Sequence, residues 1–229
     1  MTDFHSHILP LMDDGSRSVE ESVEMLKSLS DHGVKRVVAT PHFYANRESV
    51  EDFLKRRKAS FDSLKEHLTK ELPKIVLGAE VRYYEGIKSL ENLSALKIEG
   101  TNLLLLEMPF SKWSEYALRE VTELACAGSN TIVLAHIERY KAKELDLKLH
   151  SLLSCGVLAQ INASAFKGYW SRQKALRLVK NHCMHFIGSD AHNLTNRTDN
   201  MDIAVSLLKN KFGEEFILEL VNFGNGHFM

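Results

Sequence analysis

The stretch that decides the fold is Thr2-Asp3-Phe4-His5-Ser6-His7-Ile8, followed closely by Asp13-Asp14-Gly15-Ser16. The short run from Thr2 predicts a first β-strand. Side chains two positions apart on a strand project to the same side, so His5 and His7 can bind one metal ion together. The loop that follows would supply Asp14 to the same site. A lone His-x-His pair is a weak signal, and its alternative is two ordinary surface or capped histidines. The pattern gains meaning because His, Asp and Glu recur after nearly every later apolar run.

The composition is typical of a soluble globular protein of 229 residues, 44% hydrophobic and 26% charged. This length fits one large domain with a substantial core, and we expect a single domain over residues 1–229. A net charge of −1 does not support nucleic-acid binding or attachment to a membrane surface. No apolar run approaches the roughly 20 residues of a membrane span, and the N-terminus lacks the basic and apolar regions of a signal peptide. We therefore expect a cytoplasmic protein that neither enters a membrane nor binds nucleic acid.

The cysteines exclude one class of phosphatase. Cys126, Cys155 and Cys183 are far apart and odd in number, which is typical of reduced cytoplasmic thiols. None of them is followed by Arg six residues later, so the chain has no cysteine-phosphatase loop. We expect each cysteine to be a small apolar packing residue.

Seven apolar runs predict strands, and helical patterns lie between them. After the first strand, the predicted strands are 35–40, 75–79, 103–106, 131–135, 157–161 and 185–188. The first helix begins at a capping box formed by Ser18 and Glu21, and Gly33 ends it. Further helices are predicted over about 49–71, 114–127 and 143–154, in a segment reaching about 181, and over about 200–222.

The strand runs lack strict polar alternation, which is typical of parallel strands buried on both faces. The polar candidates follow the strands and hardly ever precede them. This placement favours a β/α barrel, whose site is built at the C-terminal ends of its strands. A doubly wound open sheet is the alternative, but it would gather ligands mainly at one switch point.

Nine side chains are candidates for metal binding because they share this placement. They are His5, His7, Asp14, His42, Glu80, Glu107, His136, Asp190 and His192. Imidazole combined with carboxylate suits Mn, Fe or Zn, whereas structural zinc more often uses thiolates. Nine ligands are too many for one ion, and they suit two or three ions with carboxylates as bridges.

Each candidate also has an ordinary structural interpretation. His42 follows Pro41 and would serve in a turn, His136 would be a satisfied core histidine, and Asp190 would cap a helix. Glu80 and Glu107 would be ordinary solvated carboxylates. Their shared position on one rim makes a purely structural role for all nine improbable. The remaining histidines have no such placement and are assigned structural roles: His32, His67, His150, His182, His185 and His227.

Several motifs carry a family resemblance. They are DFHSHILP, DDGS, VVATPHF, LGAE, LLLLEMPF, VLAHIERY and GSDAHN, in that order along nearly the whole chain. With these motifs the chain resembles the PHP (polymerase and histidinol phosphatase) superfamily. More closely, it is similar to the bacterial manganese-dependent tyrosine-protein phosphatases encoded with capsule and exopolysaccharide genes. Leu11, where glycine is frequent, and Thr2, where an apolar residue is usual, depart from the pattern, and the match is weak after Phe223.

The resemblance implies a distorted seven-stranded (β/α) TIM-like barrel of the PHP type with three divalent ions, Mn²⁺ or alternatively Fe or Zn. It implies that His5, His7, Glu80 and Asp190 hold one ion. It implies that Glu80 bridges to a second ion on Glu107 and His136, and that Asp14, His42 and His192 surround the third. Asp3 is expected to orient a ligand.

The same resemblance implies hydrolysis of phosphotyrosine by a metal-bridged hydroxide. A bound ion can lower the pKa of its water from 15.7 to about 7. Arg139 and Arg197 match arginines of the family, and a guanidinium there can hold phosphate oxygens and stabilise the transition state. The implied substrate is a phosphotyrosine protein, such as the tail of a tyrosine kinase of polysaccharide assembly.

Three other functions stay open from the sequence. A histidinol-phosphate or other small-molecule phosphatase would use the same centre, although that branch resembles the DDGS and EMPF segments less. A scaffold protein would keep the metal without turnover, which the full ligand set and both arginines oppose. An amidohydrolase would need a carbamylated lysine at a strand end, and none is evident.

Overall fold

The computed structural model describes residues 1–140 and 143–228, in which strands and helices alternate. The strands are β1 Thr2–Ser6, β2 Arg36–Ala39, β3 His42–Phe43, β4 Lys74–Leu77, β5 Glu80–Arg82, β6 Leu103–Glu107, β7 Thr131–Leu134, β8 Leu158–Asn162 and β9 Phe186–Gly188. The helices are α1 Val19–Asp31, α2 Val50–Lys65, α3 Glu115–Cys126, α4 Lys143–Ser154, α5 Tyr169–Lys180, α6 Met201–Phe212 and α7 Glu214–Asn225. Short 3₁₀ turns cover Ile87–Ser89, Leu93–Leu96, Ile137–Arg139 and Ala163–Phe166.

The sheets are parallel and follow chain order. One sheet has the order β1-β2-β4 and the other β3-β5-β6-β7-β8-β9, with no reversal of the kind that marks a doubly wound sheet. β1 also meets the segment after β9, because Asp190 N donates to the His5 carbonyl oxygen at 2.7 Å and His7 N donates to the Ala191 carbonyl oxygen at 2.9 Å. The result is an α/β fold whose parallel sheet curls into a half-barrel.

The predicted count of seven strands is not confirmed, because the described residues form nine strand segments. Pro41 has no amide hydrogen, so β2 ends at Ala39 and β3 begins at His42. Gly78 and Ala79 separate β4 from β5. Pairing nevertheless continues across both breaks, since Gly78 N donates to the Ala39 carbonyl oxygen at 2.9 Å and Glu80 N to the Pro41 carbonyl oxygen at 3.1 Å. The first residues after the two breaks, His42 and Glu80, are both among the predicted metal ligands.

A small buried cluster shows that the sheets curl around a common interior. It joins Phe4 of β1, Leu105 of β6, Val133 of β7 and Phe186 of β9. β1 and β6 are not neighbours in either sheet, so they share a cluster only because the sheets bend toward each other. A larger cluster lies between the strands and the helices, and includes Leu26 and Leu29 of α1. These apolar layers hold the strand ends in place.

The helices follow their predicted signals with two differences. Ser18 caps α1 by accepting from Glu21 N at 3.2 Å, but the Glu21 carboxylate accepts from Arg17 N instead of closing a reciprocal box. α2 ends at Lys65, six residues before the predicted end, because the chain tightens there: His67 N donates to the carbonyl oxygen of Leu64, only three residues back. None of the described helices is both long enough and apolar enough to cross a membrane.

Candidate metal centre

The structure brings all nine predicted ligands together at the carboxyl ends of the strands. Three groups of candidate donor atoms lie within 4.8 Å of one another: His5, His7 and Asp190; His42, Glu80 and Glu107; and His7, Asp14, His42 and His192. His7 and His42 each belong to two groups, so the groups form one continuous cluster. His136 joins it through its Nε2 atom, 2.8 Å from Glu80 Oε1. The carboxyl-end placement predicted from the sequence is therefore what the fold produces.

The first group surrounds the Nε2 atoms of His5 and His7, which are 3.2 Å apart. Asp190 Oδ1 lies 3.7 Å from His5 Nε2 and 3.4 Å from His7 Nε2. Glu80 Oε2 lies 3.4 and 3.5 Å from the same two atoms. Two ligands at about 2.0–2.2 Å from one ion stand roughly 2.8–3.6 Å apart in tetrahedral or octahedral geometry. Four of the five distances lie in this range and the fifth, 3.7 Å, lies just above it, so the spacing of these four donors fits a single ion.

The second group lies around Glu80, which is 1% exposed. Its Oε2 atom is 2.8 Å from His42 Nδ1. His136 Nε2, which approaches Glu80 Oε1, is also 3.5 Å from Glu107 Oε1. Because both oxygens of Glu80 face histidines of different groups, this carboxylate is placed to bridge two ions.

The third group is the most open. Asp14 Oδ1 lies 3.4 Å from both His42 Nε2 and His192 Nε2. The rings of His7 and His192 pack with centroids 3.9 Å apart, which joins this group to the first. The Asp14 side chain is 63% exposed, so solvent or a ligand reaches the centre from this side.

Buried polar atoms without hydrogen bonds show that the donor set fits metal ions. Among the described residues, Glu80 Oε2, His136 Nδ1 and His192 Nε2 are buried without a hydrogen-bond partner. The 2.8 Å approach of His42 Nδ1 to Glu80 Oε2 therefore lacks hydrogen-bond geometry. An unpaired buried polar atom costs about 1–3 kcal/mol. Cations bound among the donors would satisfy Glu80 Oε2 and His192 Nε2, which both belong to the cluster.

The electrostatics of the cluster favour cations. Burial would raise the pKa of Glu80, but the charge of His5 and the hydrogen bond with His136 hold it well below its usual range. Asp190 behaves likewise, with its pKa lowered by His5 and His7 against the effect of burial. Burial lowers the pKa of His192 to about 4, with His7 acting in the same direction. Ionised carboxylates and a neutral imidazole are the protonation states that bind metal. Neighbouring carboxylates raise the pKa of His5 and His7 against the effect of burial, so metal binding would release protons from these two rings.

Asp13 is a functional candidate that the sequence reasoning missed. Its Oδ2 atom accepts from His7 Nδ1 at 2.7 Å and from His42 N at 2.8 Å. This contact directs His7 Nε2 into the cluster, as outer carboxylates do for metal-binding histidines. Gly15 makes room for it, since a Cβ there would lie 2.6 Å from His7 Cβ. The adjacent pair Asp13-Asp14 was the available signal, but nothing in the sequence says which carboxylate faces the ions.

Asp3 acts on the backbone of the site. Its carboxylate accepts from Ser189 N at 2.7 Å, from Ser189 Oγ at 2.6 Å and from His5 N at 3.2 Å. Complete burial raises its pKa to about 7, against the effect of those hydrogen bonds. Asp3 therefore joins β1 to the segment that carries Asp190, and it orients His5 through the main chain.

Both predicted arginines reach the cluster through Asp190. Arg197 Nη2 lies 3.1 Å from both Asp190 carboxylate oxygens, and Arg139 Nη1 lies 3.4 Å from Oδ2. Arg197 Nη1 also donates to Asp14 Oδ2 at 3.3 Å. The two arginines line a cavity of about 310 Å³, which we call the arginine cavity. Its other lining residues are Glu138, Asn162, Ser164, Ala165, Ser171 and Asp190.

Arg82 is a third arginine at the site, and the sequence reasoning did not select it. Its Nη1 atom donates to Glu107 Oε2 at 2.5 Å. Arg82 and Arg139 both lie over the ring of Phe110, at 5.4 and 4.8 Å from its centroid. Its position two residues after Glu80, on the same side of β5, was the signal that could have identified it.

The aromatic residues that follow the strands divide into three classes. Phe43, Tyr83 and Trp113 are buried in the core. Tyr44, Tyr84 and Phe110 are half-buried, and Tyr44 and Tyr84 line a second cavity of about 630 Å³ beside Arg82. Tyr169 and Trp170 are exposed.

His32, which the sequence reasoning assigned a structural role, forms a separate cluster with Asp199 and Asp202. His32 Nδ1 lies 2.7 Å from Asp199 Oδ1, which also accepts from Met201 N at 3.0 Å at the start of α6. Ser28 Oγ donates to the other Asp199 oxygen at 2.7 Å. These bonds join α1 to α6 and account for the cluster without an ion.

Comparison with known proteins identifies the family. The family model described as "Capsular polysaccharide synthesis, CpsB/CapC" matches residues 1–227. The chain belongs to the CpsB/CapC family.

Relatives of the CpsB/CapC chain are named as tyrosine phosphatases. It is 33% identical over 222 residues to the tyrosine-protein phosphatase YwqE of Bacillus subtilis, covering 94% of this chain and 86% of YwqE. It is 36% identical over 209 residues to the putative tyrosine-protein phosphatase CapC of Staphylococcus aureus, covering 86% of this chain and 79% of CapC. A solved structure is also similar, with a TM-score of 0.81 and 28% identity over 97% of this chain and 92% of that chain. It is described among crystal structures of YwqE from Bacillus subtilis and CpsB from Streptococcus pneumoniae, which are called unique metal-dependent tyrosine phosphatases.

Proposed function

We propose that this chain is a metal-dependent protein-tyrosine phosphatase. The observation that carries the proposal is the continuous cluster of nine His, Asp and Glu side chains with two arginines beside it. The names of its relatives in the CpsB/CapC family support the same activity. Residues 1–229 form one domain, a distorted barrel of the PHP type. In this barrel the broken pairs β2/β3 and β4/β5 each count as one strand.

Three divalent ions are divided among the donors. His5, His7, Glu80 and Asp190 would hold the first ion; Glu80, Glu107 and His136 would hold the second; Asp14, His42 and His192 would hold the third. The distances and the unpaired atoms described above support this division. Manganese is the proposed metal, and availability in the cell decides between it and Fe or Zn.

The bound ions would polarise the phosphate and lower the pKa of a water molecule that attacks phosphorus. The chain itself positions the substrate. Arg139 and Arg197, which Asp190 holds beside the donors, bind the phosphate oxygens and stabilise the charge that develops there. Both guanidiniums are partly exposed at the arginine cavity, which supports this role. His7 is held in orientation by Asp13 throughout.

The substrate is a phosphotyrosine-bearing protein of the cytoplasm. A tyrosine kinase of capsule or exopolysaccharide assembly is the proposed partner, and the description of the family as one of capsular polysaccharide synthesis supports it. Tyrosine holds its phosphate farther from the backbone than serine does, and the buried cluster behind a partly open rim suits that longer side chain.

A phosphate-release panel tests this function. A phosphotyrosine peptide, its phosphoserine equivalent, 4-nitrophenyl phosphate and histidinol phosphate are compared with and without added Mn²⁺. We expect the phosphotyrosine peptide to have a kcat/KM well above the phosphoserine peptide and histidinol phosphate, and only with metal. If histidinol phosphate is turned over most efficiently, the enzyme is a metabolic phosphatase instead.

A further inference from the structure

Two aromatic side chains stand exposed at the start of α5, directly before a residue that lines the arginine cavity. Tyr169 and Trp170 are the first residues of α5, and 65% and 82% of their surfaces are exposed. Their rings pack edge to face with centroids 5.1 Å apart. Tyr and Trp are enriched in protein interfaces and in the residues that contribute most binding energy there. The pair therefore presents a preformed apolar surface to a binding partner.

The position of this pair connects it to the candidate active site. Ser171, the next residue along α5, lines the arginine cavity together with Arg139 and Arg197. An extended polypeptide advances about 3.3 Å per residue. Residues a few positions from a phosphotyrosine held at these arginines are therefore within reach of the pair.

The arginine that follows the aromatic pair on α5 is occupied by main-chain contacts. The guanidinium of Arg172, the nearest arginine along α5, is already engaged: its Nε donates to the Phe166 carbonyl oxygen and its Nη2 to the Lys167 carbonyl oxygen, both at 2.9 Å. We propose that Tyr169 and Trp170 form a docking surface for an apolar side chain of the polypeptide that carries the phosphotyrosine. This proposal rests on the proposed function.

The test compares peptide and small-molecule substrates. Trp170→Ala is assayed with a phosphotyrosine peptide flanked by leucines, with the same peptide flanked by alanines, and with 4-nitrophenyl phosphate. We expect kcat/KM for the leucine peptide to fall about tenfold through KM, the effect of removing an interface residue that contributes strongly. The other two substrates should change less than about twofold. Leu218→Ala, at a 57% exposed residue of α7, is the control and should change nothing.

Two outcomes would overturn the docking surface: an unchanged kcat/KM for the leucine peptide, or an equal loss on 4-nitrophenyl phosphate. These are distinguishable from failure of the proposed function. If the wild-type enzyme hydrolyses none of the three substrates, the phosphatase function itself is wrong. Tyr169→Ala repeats the test on the other ring of the edge-to-face pair, and should show a loss of kcat/KM confined to the leucine peptide.

An independent observation concerns the buried amide of Gln160 in β8. Its Oε1 atom accepts from His136 N at 2.8 Å and lies 3.2 Å from His5 Nδ1. Its Nε2 atom donates to Asn162 Oδ1 at 2.8 Å, and Asn162 Nδ2 donates to Asp190 Oδ2 at 2.8 Å. One fully buried amide thus contacts two proposed ligands directly and reaches a third through Asn162.

These bonds determine which nitrogen of His5 carries a proton. The Asp190 carboxylate accepts from the amide nitrogen of Asn162, so the Asn162 oxygen is left to accept from Gln160 Nε2. At the other end, the Gln160 oxygen accepts from His136 N. The Gln160 atom that faces His5 is therefore this oxygen, an acceptor. His5 Nδ1 must therefore donate, and in the neutral imidazole, the form that binds metal, this leaves the lone pair of Nε2 toward the cluster. His7 Nδ1 likewise donates to Asp13. Two lone pairs 3.2 Å apart repel each other unless a cation lies between them.

Gly188 preserves the space for this arrangement. A Cβ at this position would lie 2.5 Å from His5 Cβ and 2.7 Å from Gln160 Nε2. Distances this short are sterically forbidden, so a side chain on β9 would displace either His5 or the amide. The glycine and the amide together hold the His5 ring in one orientation.

We infer that Gln160 is a positioning residue that presents His5 Nε2 to the metal. The test uses the full-length chain stripped of metal with a chelator. Gln160→Glu keeps an acceptor oxygen facing His5 Nδ1, whereas Gln160→Leu removes it with little change in volume. Mn²⁺ affinity by calorimetry should fall about 10–100-fold in Gln160→Leu, the usual effect of removing such a partner. In Gln160→Glu, which keeps the acceptor facing His5 but loses the donor to Asn162 Oδ1, it should fall less than in Gln160→Leu.

A spectroscopic measurement on the wild type keeps the inference testable if Gln160→Leu does not fold. Nitrogen NMR of the Zn²⁺-loaded protein should show His5 protonated at Nδ1. The inference is overturned if His5 carries its proton at Nε2, if Gln160→Leu binds Mn²⁺ like the wild type, or if Gln160→Glu is as weak as Gln160→Leu. These readouts do not depend on phosphatase activity, so they separate this inference from the proposed function.

Discussion

At the scale of single residues, Asp190 joins the proposed metal ligands to the arginines proposed to bind phosphate. It faces the Nε2 atoms of His5 and His7 on one side and the guanidiniums of Arg139 and Arg197 on the other. Its left-handed backbone, with φ of 51°, places the carboxylate between them. An incoming phosphate would meet arginines that are already oriented.

Removing either arginine should slow turnover without releasing metal. We expect Arg139→Ala and Arg197→Ala each to lower kcat by about 10²–10³, the effect of losing one donor to the transition state. Both side chains are partly exposed, so the fold should persist. Metal analysis and steady-state kinetics on the purified variants check this. Unaffected turnover in both variants would show that the arginines do not bind the phosphate.

Glu80 should show the opposite behaviour. Glu80→Ala removes the carboxylate proposed to bridge two ions, so metal content should fall together with activity. Glu99→Ala, at a carboxylate that is 58% exposed and outside the cluster, is the matched control. Elemental analysis of both variants provides the measurement. A full complement of metal in Glu80→Ala would contradict the bridging role.

At the scale of elements, a buried carboxylate joins α3 to the loop after β5. Glu120 is 1% exposed, and its Oε2 atom accepts from Tyr83 Oη at 2.9 Å and from Gly86 N at 3.1 Å. Its neighbour Glu123, one turn later on α3, makes an exposed ion pair with Lys88. The Glu120 contacts hold the loop that follows β5, the strand that carries Glu80 and Arg82. The Glu123–Lys88 pair lies on the surface.

This difference predicts unequal effects on stability. Glu120→Ala leaves the Tyr83 hydroxyl and the Gly86 amide without a buried partner, and each unpaired group costs about 1–3 kcal/mol. We expect a loss of at least about 2 kcal/mol in the free energy of unfolding. Glu123→Ala should change it little, because exposed pairs contribute little. Urea unfolding of both variants compares them, and equal losses would contradict this account.

At the scale of the whole molecule, the proposed ions cross-link most of the strands. The ligands come from β1, β3, β5, β6 and from the segments after β7 and β9. Ions that bind the folded chain and not the unfolded chain stabilise it by mass action.

Metal should therefore raise the melting temperature. Free Mn²⁺ at about 100 times its dissociation constant contributes about 2.7 kcal/mol. For a chain of this length that corresponds to a rise of about 5–10 °C. Calorimetric scans with EDTA and with Mn²⁺ make the comparison, and Glu80→Ala should show a smaller rise. An identical melting temperature in both conditions would argue against ions that join the strands.

Activity should need metal and no thiol. Cys126 and Cys155 are exposed, and Cys183 is buried near α5, so none belongs to the cluster. A variant with Cys126→Ser, Cys155→Ser and Cys183→Ala should keep its phosphatase activity, while EDTA should abolish the activity of the wild type. Phosphate release measures both. Loss of activity in a folded, metal-loaded variant would point to a thiol mechanism.

The sequence by itself determined the class of fold and the residues that meet at the site. Apolar runs separated by helical patterns predicted parallel strands, and polar residues after those runs predicted one common edge. Both inferences depend on local chemistry and spacing, because the carboxyl ends of successive parallel strands lie on the same side wherever the strands are placed. His5 and Asp190, 185 positions apart, were therefore assigned to one site without coordinates.

Only the tertiary structure decided how those residues are oriented and supported. The pairing that continues across Pro41 and Gly78, the choice of Asp13 rather than Asp14 as the partner of His7, and the contact of Gln160 with His5 depend on how separate strands and loops come together. Each is a contact between atoms a few ångströms apart that belong to different elements or loops. Periodicity and spacing along the chain carry no information about such distances, since the curl of the sheet sets them.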